Sequence, residues 1–314
     1  MRKALIVGID DYISSPLSGC VNDANAIATV LSRNGNGSLN FEVKLLTSPK
    51  DSITRSILRQ NIEDLFHGDS DIALLYFSGH GLVKNTGGYI VTSDFKKYDE
   101  GISMNDILDI ANHSKARDRI ILLDCCYSGG FGSPSITGDL SLLTEGLTIL
   151  TSSRGNETSV EIDGKGLFTS LVVEALYGGS SDLLGRVTTG SIYAFVDQAL
   201  GEWGQRPIFK TNVSRFTALR EVTPPIPIDT LRNICAYFES PFYELKLDPS
   251  FEYTESISKE ENVKILKDLQ KFERVGLVIP IGEEHMYYAA INSKSCKLTT
   301  LGHQYWRLVK EGKI

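Results

Sequence analysis

Over its first two-thirds this chain alternates short apolar runs with amphipathic segments, and that order limits its fold more than any other feature. Residues 4–9, 41–46, 72–77, 89–92, 120–124 and 147–151 are apolar runs rich in leucine and β-branched side chains. They read as strands, several of them buried on both faces. Between them, residues 22–33, 52–66, 103–113, 167–177 and 191–200 carry apolar side chains at intervals of three or four and read as helices. Strands that largely alternate with helices predict an α/β domain with a mostly parallel sheet flanked by helices. Ligands in such sheets bind beyond the carboxyl ends of the strands. Chemistry is therefore expected just after Phe77 and just after Leu123.

The pattern breaks at Val222-Thr223-Pro224-Pro225-Ile226-Pro227, where the prolines forbid a helix and suit an extended link. This gives a first domain over 1–221, a linker over 222–228 and a small α+β domain over 229–314. In the last of these, 229–240, 258–275 and 298–310 read as helices. Residues 277–281 and 286–291 read as a hairpin turning at Gly282-Glu283-Glu284.

Composition excludes several classes of function. A net charge of -7 argues against a general nucleic-acid binder. No apolar run approaches the roughly 20 residues that span a bilayer. The opening MRKALIVGID reads as a buried strand, not a leader, because Gly8-Ile9-Asp10-Asp11 ends the apolar run early. A cytoplasmic protein is expected. The cysteines Cys20, Cys125, Cys126, Cys235 and Cys296 show neither the spacing of a disulfide framework nor that of a zinc site. No cofactor or metal is implied.

Two motifs follow directly on apolar strands. One is Tyr76-Phe77-Ser78-Gly79-His80-Gly81, the other Asp124-Cys125-Cys126-Tyr127-Ser128-Gly129-Gly130. A parallel sheet can set two such strand ends side by side, and with them an imidazole and a thiol. A free thiol, with a pKa of about 8.5, is mostly protonated at neutral pH. A neighbouring histidine can take its proton and return one to a leaving amine. The oxyanion formed on the way needs fixed N–H donors. Gly81 offers one with no side chain in the way, and Cys126 can offer the other.

These motifs resemble the His and Cys motifs of the caspase and metacaspase clan, and the metacaspase branch most closely. Residues Leu17-Ser18-Gly19-Cys20-Val21-Asn22-Asp23-Ala24 resemble its early Gly-Cys-x-Asn-Asp segment. Thr151-Ser152-Ser153-Arg154 and Gly166-Leu167-Phe168-Thr169 resemble the segments after its cysteine, and the likeness spans roughly residues 1–220. The resemblance implies a cysteine endopeptidase with His80 as base, Cys126 as nucleophile, and Gly81 and Cys126 as oxyanion donors. It also implies that Asp23 and Asp124 line a pocket for a basic side chain before the scissile bond. The alternative for Asp23 is a helix cap, and for Asp124 the positioning of its neighbours. No match exists to the arginines with which caspases proper bind aspartate.

Two departures stand out. Tyr127 takes a place where metacaspases often carry His, and residues 131–146 hold no Lys or Arg at which a basic-specific enzyme could cut itself. Lys165 and Arg186 are basic sites elsewhere. Some metacaspases depend on calcium. Asp69, Asp71 and Asp99 are loop acids of the required type, although solvated surface charge is the simpler reading.

The C-terminal domain resembles a winged helix. Its helix over 258–275 carries Lys259, Lys264, Lys267, Lys271 and Arg274, but also Glu260, Glu261, Asp268 and Glu273. Mixed signs indicate a solvated face. Recognition of a regulatory protein, or autoregulation, is therefore expected before DNA binding or a passive role. Two other functions compete with the peptidase. One is a catalytically silent caspase-like scaffold acting through this domain, the other a different cysteine hydrolase such as an amidase. An appended module on such an enzyme would suit a bacterial defence or regulated cell-death pathway, by analogy of architecture alone.

Overall fold

The structure, a computed structural model, describes residues 1–13, 15–84, 86–96, 99–125, 142–152, 161–162, 164–201 and 206–314. The chain divides into two compact units, Met1–Thr223 and Pro224–Ile314.

The first unit is built on β1 (Arg2–Gly8), α1 (Cys20–Ser32), β2 (Glu42–Thr47), α2 (Arg55–Phe66) and β3 (Ile72–Ser78). A small antiparallel sheet follows, of β4 (Gly81–Lys84), β5 (Gly87–Ile90) and β6 (Ile102–Ser103). After it come α3 (Met104–Asn112), β7 (Asp118–Asp124), β8 (Leu147–Thr151), β9 (Glu161–Ile162), β10 (Lys165–Gly166) and α4 (Leu167–Glu174). The unit closes with β11 (Arg186–Thr188), α5 (Thr189–Leu200), β12 (Ile208–Asn212) and β13 (Ala218–Glu221).

The central sheet runs β12-β8-β7-β3-β1-β2, all parallel except β12, which pairs antiparallel with β8. Side chains along a strand alternate between faces. Leu5, Val7, Leu75, Phe77, Ile121 and Leu123 accordingly join one core, with Leu58, Ile62, Ile107 and Leu108 of α2 and α3. Ala4, Ile6, Leu74, Tyr76, Ile120 and Leu122 join the other, with Ile27, Leu31, Phe168, Val172 and Ile192 of α1, α4 and α5. Every residue of β3 is buried. At roughly 1.5–3 kcal/mol for each large apolar side chain, this strand is a main source of stability. From β1 the sheet grows outward both ways, to β2 and to β3, so the strand order reverses there. Crevices open at such reversals, beyond the carboxyl ends.

One expectation needs correction here. Residues 89–92 lie not in the parallel sheet but at the return of a hairpin, with Tyr89 opposite Leu82. β12 went unread, because its sequence IFKTN is only half-buried and lacks the apolar run of a central strand.

The second unit holds α6 (Ile228–Arg232), α7 (Ile234–Tyr237), β14 (Leu245–Lys246), α8 (Glu260–Arg274), β15 (Val278–Ile281), α9 (Met286–Ile291), β16 (Ser295–Leu298) and α10 (Thr300–Lys310). Its sheet order is β14-β16-β15, antiparallel throughout. The expected hairpin is wrong in its second arm. Residues 286–291 are helical, and β15 pairs with β16. The helical spacing is present in Met286, Ala289 and Ala290, all buried, and this packing outweighs the strand preference of Tyr287 and Tyr288.

Nor is α8 a uniformly solvated face. Asp268 is buried and accepts hydrogen bonds from Tyr237 Oη at 2.9 Å, Lys271 Nζ at 2.9 Å and Asn233 Nδ2 at 3.3 Å. Burial pushes its carboxyl up, but the bonds from Lys271, Tyr237 and Asn233 outweigh that and hold it below the ordinary value. A carboxylate depressed in the folded state stabilises it above the unfolded pKa of about 3.9, and that contribution fades as pH falls through the folded value. Asp268→Asn should therefore lower stability at pH 7 by about 1.5–3 kcal/mol, the worth of a charged hydrogen bond. The deficit should shrink in acid. Urea unfolding of both proteins at neutral and acid pH measures this, and an equal deficit at both would contradict it.

Candidate active site

The loop after β1 and the turn after β3 meet where the strand order reverses. Tyr12 is buried, and its hydroxyl accepts from His80 N at 3.1 Å while donating to Val91 O at 3.1 Å. Its ring lies 4.6 Å from the imidazole of His80, tilted at 53°. Burial holds the Tyr12 phenol well above its usual pKa, so the hydroxyl stays a neutral donor. A Cβ on Gly79 would sit 2.5 Å from Tyr12 Oη and 2.8 Å from the Phe77 ring, which explains the glycine before the histidine.

His80 Nε2 lies 2.7 Å from the carbonyl oxygen of Ser15. A carbonyl can only accept, so Nε2 carries the proton and Nδ1 is the basic nitrogen of the neutral ring. Neither Tyr12 nor Ser15 was found from sequence. Both lie in a loop without periodicity, and Ser15 acts through backbone that any residue would supply.

Gly81 stands opposite Ile90 in the β4–β5 ladder, and the preceding pair is bonded through Val91 N to His80 O at 2.9 Å. Antiparallel pairs alternate between bonded and non-bonded. The Gly81 N–H therefore points away from β5.

β3 and β7 are neighbours in register, Ser78 opposite Asp124, and Gly79 N donates to Asp124 O at 3.4 Å. His80 and Cys126 each follow that pair by two residues in sequence. Cys126 lies outside the described residues, as do Tyr127, Ser153, Arg154 and residues 131–141. Cys125 is buried in the core on the α2–α3 face. Cys20 is buried as well. Burial pushes its thiol up and the nearby Asp10, Asp124 and Asp23 add to the shift, so it stays protonated and inert.

Asp124 points to the opposite face from Cys125, where α4 packs. Its Oδ2 accepts from Thr169 Oγ1 at 2.7 Å, and Thr169 Oγ1 lies 2.6 Å from Tyr76 Oη. Thr169 spends its one proton on Asp124, so Tyr76 donates to Thr169. Burial, followed by Asp124 and Asp23, pushes the Tyr76 phenol well above its usual pKa and keeps it a donor. Asp23, also buried, accepts from Gly166 N at 3.0 and 3.2 Å. A Cβ on Gly166 would run into Asp124 Oδ2 and lie 2.8 Å from Asp23 Oδ2, so the two carboxylates flank this glycine closely. Thr169 and Gly166 belonged to a recognised segment, but nothing in their spacing assigned them to the acids.

The helix-cap alternative for Asp23 fails. α1 begins at Cys20, and Asp10 takes up its terminal donors, with Cys20 N at 2.8 Å and Val21 N at 3.2 Å.

Two of the loop acids weighed for calcium are engaged elsewhere: Asp71 with the Met1 ammonium at 2.6 Å, Asp99 with Arg55 at 2.5 Å. Among the described residues no three His, Cys, Asp or Glu side chains gather as a metal site, and no helix is long and apolar enough to cross a membrane.

A mostly parallel sheet with His80 at one strand end, and the strand leading to Cys126 beside it, defines a caspase-like α/β domain. The chain belongs to the caspase-domain family, whose model matches residues 1–215 and whose members are cysteine peptidases. Among solved structures, a Geobacter sulfurreducens protein is similar with a TM-score of 0.51 at 15% identity, over 71% of this chain and 100% of that one. Caspase-1 from Spodoptera frugiperda is similar with a TM-score of 0.50 at 15% identity, over 71% of this chain and 91% of its own. At that identity the likeness is one of fold. No curated protein matches the chain.

Proposed function

We propose that this chain is a cysteine endopeptidase that cuts after Arg or Lys, with His80 and Cys126 as its working pair. The observation that carries the proposal is the held imidazole. Ser15 fixes the tautomer of His80, leaving Nδ1 basic at the end of the strand that neighbours the one leading to Cys126. In the reaction, Nδ1 takes the thiol proton and the Cys126 sulfur bonds to the substrate carbonyl carbon. The oxygen becomes an anion faced by the N–H groups of Gly81 and Cys126. Collapse breaks the C–N bond, and the imidazolium returns its proton to the departing nitrogen. Water then hydrolyses the thioester and restores the thiol.

The buried Asp23 and Asp124 supply the charge for a basic side chain, and the bare Cα of Gly166 lets the two carboxylates stand close together. Gly166 has φ of -66°, so Gly166→Ala strains no backbone and acts by forcing the Asp124 and Asp23 carboxylates aside. It should reduce kcat/KM on Arg peptides by tenfold or more while leaving the fold unchanged by circular dichroism. Unchanged kinetics would remove the glycine from the pocket.

Tyr12 is a positioning residue for His80. Tyr12→Phe keeps the ring and leaves the His80 N–H without its acceptor. It should lower kcat, on the order of tenfold at about 1–1.5 kcal/mol, with little change in KM. A shift in KM alone would contradict this role.

The helices and three-stranded antiparallel sheet of the second unit fit the winged-helix-like reading, and its proposed role is to bind a regulatory protein. Mixed charge on α8 favours a protein partner over nucleic acid, and a defence or cell-death setting fits that arrangement. Removing residues 224–314 should leave a soluble first unit that still reacts with the probe below.

A peptidyl electrophile ending in Arg or Lys tests the assignment directly. It should label Cys126, mapped by mass spectrometry. Label on Cys125 or Cys20 would overturn it.

A further inference from the structure

On the other flank of His80 from the buried acids lies a cleft of about 220 Å³ lined by Tyr12, Ile13, Leu82, Val91 and Phe95 together with His80 itself. Among the described residues no Asp, Glu, Lys or Arg lines it. Phe95 is 45% exposed and Ile13 94%, so the cleft presents apolar surface to solvent. Tyr12 and Val91 belong to the α2–α3 core, whereas Tyr76 belongs to the core on the opposite face of the sheet, and Asp124 points to that opposite face. The two sites therefore flank the strand ends from opposite faces.

From this placement we infer that the cleft binds the side chain of the first substrate residue beyond the cut, and that it selects a medium-sized apolar one such as Leu or Phe. This rests on the peptidase reading above. The argument is chemical. The amine that leaves takes its proton from His80 as the C–N bond breaks, so the residue bearing that amine must lie against the imidazole. A substrate that directs a basic side chain toward Asp23 and Asp124 brings its next residue to the His80 side. The cavity it meets there is largely apolar, of a size for one side chain, and among the described residues has no Lys or Arg to receive an acidic one. Burying such a side chain rather than leaving none is worth roughly 10- to 100-fold in affinity.

The test reads the cleft without requiring turnover. Short peptide amides beginning with Leu, Gly or Asp are the products of the corresponding cleavages. Each is titrated into the full-length protein while the His80 imidazole resonance is followed by NMR. The Leu peptide should move that resonance and bind at least tenfold more tightly than the Gly peptide, with Asp weakest. Phe95→Asp, at a half-exposed position that does not threaten the fold, should erase the preference for Leu. Equal affinities for the three peptides, or tightest binding of Asp, would overturn the inference. Hydrolysis of Arg-Leu, Arg-Gly and Arg-Asp peptides separates this from the reading beneath it. Cleavage at equal rates contradicts the cleft alone, whereas selective binding without cleavage upholds the cleft and contradicts the peptidase.

Discussion

Cys126→Ala should reduce peptide cleavage to background, and His80→Ala should cost at least about 10²–10⁴-fold, the usual worth of a general base. The effects differ because the thiol forms the bond to carbon, whereas water can replace the imidazole in part. Neither variant should unfold. His80 is only part-buried, beyond the last residue of β3, and the cores draw on Phe77 and Tyr76 instead. Cys125→Ala provides the contrast. Its sulfur is buried in the core, so the loss should appear as stability, on the order of 1 kcal/mol for a small buried group. A Cys125→Ala protein that is folded but inactive would transfer the chemistry to the wrong cysteine.

The second large effect concerns charge. Asp23→Ala should lower kcat/KM on Arg peptides by roughly 10- to 100-fold, from about 1.5–3 kcal/mol for a charged hydrogen bond at 1.4 kcal/mol per decade. A guanidinium brings five donors in a planar fork, which two carboxylates can share. Asp23 also accepts from Gly166 N, so the alanine variant disturbs β10 as well as the pocket. Asp23→Asn separates the two roles, since the amide oxygen can still accept from Gly166 while the charge is gone. If Asp23→Asn cuts Arg peptides at the wild-type rate, the charge does not select the substrate.

What could be read from sequence followed the strength of the local signal. β3 and β7 are continuous apolar runs that end on glycine-bearing motifs, so the sheet and the positions of His80, Asp124 and Cys125 were legible. The helix ends were less so, since Asp10, far from α1 in sequence, is what caps it. Tyr12 and Ser15 were invisible because a hydroxyl and a carbonyl gain their roles only when the β1 loop closes over His80. The acids were found through a resemblance. Their closeness around Gly166, and the Tyr76–Thr169–Asp124 chain of hydrogen bonds, exist only in the tertiary fold. In the second unit, aromatic residues over 286–291 carried a strand preference that helical packing overrode.

The most direct test of the central claim is kcat/KM for the full-length protein on matched peptides that differ only in the residue before the cut: Arg, Lys, Asp or Gln. The account predicts cleavage after Arg and Lys, with Asp slower by at least about 100-fold, because it would meet two like charges in a buried site. Preference for Asp would contradict the acidic pocket, preference for Gln would point to an amidase-like hydrolase, and absence of cleavage from all four would leave the scaffold reading in place of the enzyme.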